Sequence, residues 1–191
     1  MLAQLIDDRP DFDPDAFVRR LPSMDLFGAL VLQIIGQQIS VVAATAIFGR
    51  LTERFGGRVP DPGDLAGVDP RTLHSLGLSR RKAATVVDLA RRFSDGRLSE
   101  AELRMLPDEE VISRLTEVKG IGAWTVQGAL LIALRRPDVI RTNDLALRHA
   151  IRARYHLDHL PDPAEVAELA RHWKPYSSLA SSLLLAAARS G

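Results

Sequence analysis

From Leu26 onward the apolar residues of this chain recur at helical spacing, and nowhere do they alternate over the length of a strand. Leu26, Phe27, Leu30, Val31, Ile34 and Ile35 fall on one side of a 3.6-residue repeat and mark a core-facing helix. Asn-Gly hairpin turns are absent. The pattern predicts an all-α fold. A second helix is expected over about 39–55, closed by Gly56-Gly57. Asp69-Pro70 reads as a cap with proline at the first helical position, and Gly77 stops that short helix. Ser79 caps a helix reaching about Phe93, Ser99-x-x-Glu102 reads as a capping box, and a short helix follows near 107–115. Further helices are expected near 123–134, 144–154, 163–172 and 177–189. The Pro-, Gly- and Asp-rich stretch 56–69 reads as a surface crossing between two lobes.

At 191 residues the chain suits one domain able to bury a sizeable core. Its 46% apolar content includes no run approaching the roughly 18 residues of a membrane span. The N-terminal stretch is acidic and lacks the basic start of a secretory signal. With no cysteine, disulfides and a Cys-bound iron–sulfur cluster are excluded, and a cytosolic setting fits. His156-x-x-His159 has the spacing of a metal pair, but Pro161 follows closely and no acid cluster completes it, so it reads as a solvated loop. Gly56-Gly57 lacks the lysine of a phosphate-binding P-loop, and no serine sits in a nucleophile elbow.

Val118-Lys119-Gly120-Ile121-Gly122 is the chemically informative stretch. Two glycines let the backbone turn sharply and approach another molecule, and a helix from about Ala123 would point its unpaired N–H groups out of that turn. A phosphate is the natural occupant. Residues 119–154 hold seven basic residues (Lys119, Arg135, Arg136, Arg141, Arg148, Arg152, Arg154) against Asp138 and Asp144, a net +5 in a chain whose total is +1. A basic segment beside such a hairpin reads as a nucleic-acid contact surface. Asp144 follows Gly122 by 22 residues. By spacing alone it serves equally well as a helix cap or as a working acid.

This hairpin together with Asp144 resembles the helix-hairpin-helix (HhH-GPD) DNA glycosylase superfamily, and within it the 3-methyladenine DNA glycosylase II branch. Three further segments carry the resemblance: Ile34-Ile35-Gly36-Gln37-Gln38-Ile39-Ser40, Leu76-Gly77-Leu78-Ser79-Arg80-Arg81-Lys82-Ala83 and Trp173-Lys174-Pro175-Tyr176. Together they span roughly residues 20–188. The resemblance implies two helical lobes with the active-site cleft between them, forming one glycosylase domain over 1–191. Residues 1–25 would pack on the C-terminal lobe, a helical lobe would cover about 26–115, and the hairpin and catalytic lobe about 116–191. Only about 25 residues precede the first matched helix, which suggests a compact form without the branch's extra N-terminal α/β domain.

The resemblance also implies roles. Asp144 would be the catalytic carboxylate. Trp124 stands where bifunctional relatives carry a nucleophilic lysine, which implies hydrolysis without lyase activity. Its indole would attract a cationic base, although a place in the core at the first turn of a helix is the plain alternative. Lys119, the Gly120 and Gly122 backbone and the Ala123 N–H would hold a DNA phosphate. Gln38 aligns with the wedge that fills the gap left by an everted base, although Gln37 and Gln38 could simply end a helix. Ser40 would cap the next helix. Main-chain carbonyls of Thr116, Val118 and Ile121 would bind a monovalent cation (Na or K); no other cofactor is required. Gly128, Leu145 and Leu185 stand where the branch has aromatic pocket walls, which implies a wider and less selective pocket. Ser177 replaces a familiar arginine, and Trp173 and Tyr176 are expected to pack the C-terminal helix. The expected activity is excision of 3-methyladenine and 7-methylguanine from double-stranded DNA containing damaged bases, by a cytoplasmic monomer with no membrane contact. A same-fold glycosylase for deaminated or oxidised bases and a non-catalytic DNA-binding module are the rival readings.

Overall fold

Most of the longer helices begin at a side chain that accepts a first-turn N–H. The computed structural model describes residues 6–7, 10–14, 16–19 and 21–188, the side chains of 17 and 18 excepted. These residues are helical or irregular, with no strand among them. Two compact units divide the chain: Pro22–Leu134 in one, Met1–Leu21 with Arg135–Gly191 in the other. The border therefore falls after Leu134 and not near 115, which groups the hairpin with the helices that precede it.

In the larger unit, a helix at Leu26–Gly36 (α2, after the short α1 at Ala16–Arg19) starts at Asp25, whose carboxylate accepts the Gly28 N–H at 2.8 Å. α2 is enclosed by α3 (Val41–Arg54), α6 (Arg80–Ser94) and α9 (Ala123–Ala129), so its apolar residues are buried all round rather than on one stripe. Leu26, Leu30, Ile34 and Ile35 are fully buried, and each contributes about 1.5–3 kcal/mol on leaving water. Charge holds both ends of α2. The Glu100 carboxylate accepts the Leu26 N–H at 3.0 Å, and the Lys82 ammonium donates to the Ile35 and Gln37 carbonyls at 2.7 Å each. An anion at a helix start and a cation at its end both oppose the helix dipole.

Ser40 caps α3 and Ser79 caps α6, as expected. Asp69 and Pro70 open α5 (Pro70–Ser75). The stretch 56–69 is not a crossing between lobes. Asp61 and Asp64 close a capping box around Pro62, and the resulting α4 (Pro62–Ala66) packs on α6 inside the larger unit. At α7 (Glu100–Met105) only half of the expected box forms. Ser99 accepts the Glu102 N–H at 3.4 Å, while the Glu102 carboxylate lies 3.7 Å from Arg114 of α8 (Asp108–Thr116). The helix expected over 123–134 is α9 followed by a π-helical turn, Leu130–Leu134.

The smaller unit is built from α10 (Leu145–Tyr155), α11 (Pro163–Ala170) and α12 (Ser177–Ala188). Leu147, Ile151, Val166, Trp173, Leu183 and Leu184 form its core, with Phe12 packed against it. Trp173 is buried and its indole donates to the Tyr155 hydroxyl at 3.1 Å. Tyr176 is 56% exposed, contrary to the expected packing role, while Ser177 is buried and donates to Asp138 at 2.5 Å.

Candidate active site

The hairpin between α8 and α9 turns by short backbone bonds: Val118 N–H to the Leu115 carbonyl at 3.2 Å, then Ile121 N–H to the Val118 carbonyl at 3.0 Å. Val118 and Ile121 are buried and anchor the turn. Gly120 is constrained twice. Its φ is +96°, and a Cβ there would run into the Thr85 hydroxyl. Thr85 uses that hydroxyl to reach the Lys119 carbonyl at 3.0 Å. Gln37 donates to the Gly120 carbonyl at 3.1 Å and to the Thr125 hydroxyl at 2.9 Å. The hairpin is therefore fastened from α2 and α6, by residues to which sequence reasoning gave no such role. Gln37 lies within the quoted 34–40 segment, and Lys82, which holds the Gln37 carbonyl, within the 76–83 segment. Those motifs contain the hairpin's supports.

On its solvent side the hairpin exposes Lys119, Gly122 and Ala123. Gly122 opens α9 without a side-chain cap, which leaves first-turn N–H groups for an anion. For a cation, the Thr116 carbonyl ends α8, where helix carbonyls lack intrahelical donors, and the Val118 carbonyl has a second lone pair beyond the one Ile121 uses. The donor set of Thr116, Val118 and Ile121 is compatible with a hard monovalent ion.

Gln38 is exposed, with φ +57°, at the corner between α2 and α3, so it does end a helix, and it stands clear of the core as a wedge must. Ile39, Val41 and Val42 beside it are 39%, 66% and 81% exposed. Trp124 is half-buried on the first turn of α9, and Gly128, one turn later, is buried. The space beside Gly128 is filled: a Cβ there would collide with the Gln33 carboxamide. This corrects the expectation of an open pocket at that position.

In the smaller unit Asp144 is the N-cap of α10. One carboxylate oxygen accepts the Leu147 N–H at 3.1 Å, and the other lies 3.9 Å from the Arg141 guanidinium. The side chain keeps 18% of its surface open. Cap and reactive acid are thus compatible, because capping uses one oxygen. Burial pulls the Arg141 pKa down against the opposing pull of Asp144, yet an arginine stays charged at neutral pH. Leu145, next in sequence, is 56% exposed, whereas Leu185 is half-buried against the unit's own core.

The basic segment is less of a surface than its count suggested. Arg141 is turned toward Asp144, and Arg148 donates to the Pro161 carbonyl at 2.7 Å. His159 lies between Asp158 and Glu165 at 2.7 and 2.8 Å, and its pKa is raised, first by Asp158 and then by Glu165. Among the described residues no cluster of three metal-ligating side chains occurs, and no helix is long and apolar enough to cross a membrane.

Residues 31–175 match the family described as HhH-GPD superfamily base excision DNA repair protein. DNA-3-methyladenine glycosylase 1 of Schizosaccharomyces pombe is 30% identical over 165 residues, covering 85% of this chain and 72% of that protein. A DNA-3-methyladenine glycosylase of Bacillus subtilis is 27% identical over 170 residues, covering 84% of this chain. The chain spans little more than half the length of its Bacillus subtilis relatives, 58% of one and 56% of the other. In structure it resembles a Schizosaccharomyces pombe 3-methyladenine DNA glycosylase in complex with abasic DNA, with a TM-score of 0.85 at 28% identity over 96% of this chain and 88% of that one. A DNA-3-methyladenine glycosidase from Bacillus halodurans gives 0.81 at 30% identity, over 98% and 83% of the two chains.

Proposed function

The chain belongs to the HhH-GPD superfamily of base excision DNA repair proteins, and from that premise we propose that it is a monofunctional DNA glycosylase releasing alkylated bases, 3-methyladenine and 7-methylguanine foremost, from duplex DNA. The names of its relatives support this substrate class. The observation that carries the reading is Asp144, a carboxylate held in one orientation by the helix it caps while part of its surface stays open.

When the N-glycosidic bond breaks, its electron pair leaves with the base and positive charge develops on the deoxyribose. Asp144 stabilises that charge and accepts a proton from the water that attacks C1′. An alkylated purine already carries positive charge, so its departure needs less assistance. The Trp124 indole attracts such a base by a cation–π contact worth about 0.5–2 kcal/mol. With tryptophan at position 124 no Schiff base forms there, and the product is an intact strand with an abasic site.

The hairpin holds the strand. Gly120, Gly122 and the Ala123 N–H cradle a phosphate, and Lys119 adds charge. Thr116, Val118 and Ile121 would hold a monovalent cation, which would supply further positive charge toward that phosphate. Gln38 fills the gap in the duplex once the base is everted. Exposed Leu145, beside Asp144 in sequence, would border the base. The protein works as a monomer, in the cytoplasm where the DNA lies.

Asp144→Asn tests the reading well, because the asparagine oxygen still caps α10 while the negative charge is lost. Bases freed from methylated genomic DNA should fall at least about a hundredfold with thermal stability unchanged, the scale expected when electrostatic and general-base help vanish together. Equal release by the variant, or none by the wild type, refutes it. A borohydride-trapped covalent adduct would refute the monofunctional assignment.

A further inference from the structure

The peptide that joins Gln37 to Gln38 is held from another helix. Its carbonyl accepts from the Lys82 ammonium at 2.7 Å, and the same ammonium donates to the Ile35 carbonyl at 2.7 Å. The Gln37 side chain is bound as well, to the Gly120 carbonyl and the Thr125 hydroxyl. Gln38 comes next, exposed and with φ +57°, a left-handed conformation that a residue other than glycine keeps only where its surroundings impose it. Lys82 imposes it by fixing the plane of the peptide from which Gln38 departs. One turn further along α6, Thr85 holds the Lys119 carbonyl at 3.0 Å, in the peptide that enters Gly120. A single turn of α6 thus grips both the peptide leading into the exposed corner and the peptide leading into the hairpin.

Lys82 is half-buried, and burial pushes its pKa down, so an ammonium is kept where an apolar side chain would lose less hydration. We propose that Lys82 is a positioning residue for Gln38, holding the wedge at a fixed reach from the phosphate cradle of the hairpin. The inference rests on the glycosylase reading above and its wedge, and adds the residue that orients that wedge. Without the ammonium the two carbonyls turn to water, the Gln37–Gln38 peptide rotates, and Gln38 leaves its left-handed conformation. An everted nucleotide then falls back into the stack before its bond breaks, although Asp144 keeps its cap and its charge. The loss is greatest for a lesion that a partner base draws back into the duplex. A lesion that faces no base leaves the stack more readily and depends less on the wedge.

The test follows single-turnover release of 7-methylguanine from two duplexes, one with cytosine opposite the lesion and one with an abasic-site analogue there. The wild type, Lys82→Met, Gln38→Ala and the double variant are compared. Methionine keeps most of the length of lysine and removes its donors. The ratio of the first rate to the second should fall about tenfold in each single variant, a part of the unstacking cost that the wedge offsets. The double variant should fall no further, because Lys82 acts through Gln38. Lys82→Gln, shorter and uncharged, carries the same expectation and takes the place of methionine if that variant does not fold. Simple loosening of the α2–α6 packing would instead slow both duplexes in parallel. A ratio lowered by Gln38→Ala but unchanged by the folded Lys82 variant overturns the inference alone, as do losses that multiply in the double variant. A ratio unchanged in Gln38→Ala removes the wedge and this inference with it, and no release from either duplex by the wild type removes the glycosylase reading itself.

Discussion

Gly120→Ala should damage the hairpin through two separable costs. The first is conformational: at φ +96° an L-residue costs about 1–3 kcal/mol. The second is steric, since the new methyl meets the Thr85 hydroxyl and pushes apart the contact by which Thr85 holds the Lys119 carbonyl. Overpacking of this kind costs about 1–3 kcal/mol. Together the substitution should lose about 2–6 kcal/mol. Thr85→Ala alone gives up the hydrogen bond to Lys119, about 1 kcal/mol. It also clears the obstacle, because the one Thr85 atom that remains near the new methyl is its Cβ, at an ordinary 3.4 Å. The double variant should therefore retain the conformational cost and escape the collision, so the two losses fall short of their sum by about 1–3 kcal/mol. Urea unfolding of the four proteins completes the cycle. Losses that add to within about 0.5 kcal/mol would refute the collision, and a Gly120→Ala loss below about 1 kcal/mol would refute both costs.

Three further outcomes follow from other parts of the molecule. Asp144→Ala removes the cap on α10 that asparagine would keep, so it should be less stable than Asp144→Asn by about 1 kcal/mol in urea unfolding. Lys119→Gln should weaken binding to undamaged and abasic duplexes alike, and lower the slope of log affinity against log salt by about 1, as titrations by fluorescence anisotropy would read. The raised pKa of His159 means that its pairing with Asp158 and Glu165 stabilises the fold fully below the unfolded value near about 6.5, and is lost as pH climbs through the higher folded value. Between pH 6 and pH 8.5 the wild-type melting temperature should therefore drop more than that of His159→Gln, and equal drops would count against the pairing.

Most helices were legible because their caps are local. Ser40, Asp69 and Ser79 announce themselves beside the residues they cap, and the structure uses each as expected. Asp61-Pro62-x-Asp64 carried the same kind of signal inside a stretch whose proline and glycine content suggested a loop. The π-helical turn at Leu130–Leu134 left no trace, since five apolar residues fit an α-helix equally well. The hairpin was legible for a similar reason, Gly120 being demanded by the left-handed backbone at its own position. Its supports were not: Gln37, Lys82 and Thr85 reach it from 34 to 83 residues away in sequence or act through a carbonyl, and no spacing rule pairs them. Counting arginines overstated the contact surface because two of them bind groups within their own unit.

The hold of α10 on Asp144 has a consequence for how lesions are found. An acid tethered to its own helix cannot lean out to search, so all of the travel falls to the nucleotide. On the proposed glycosylase function, bases already poorly stacked or weakly paired make that journey at least expense, and damage would be sorted first by how readily the duplex lets it go.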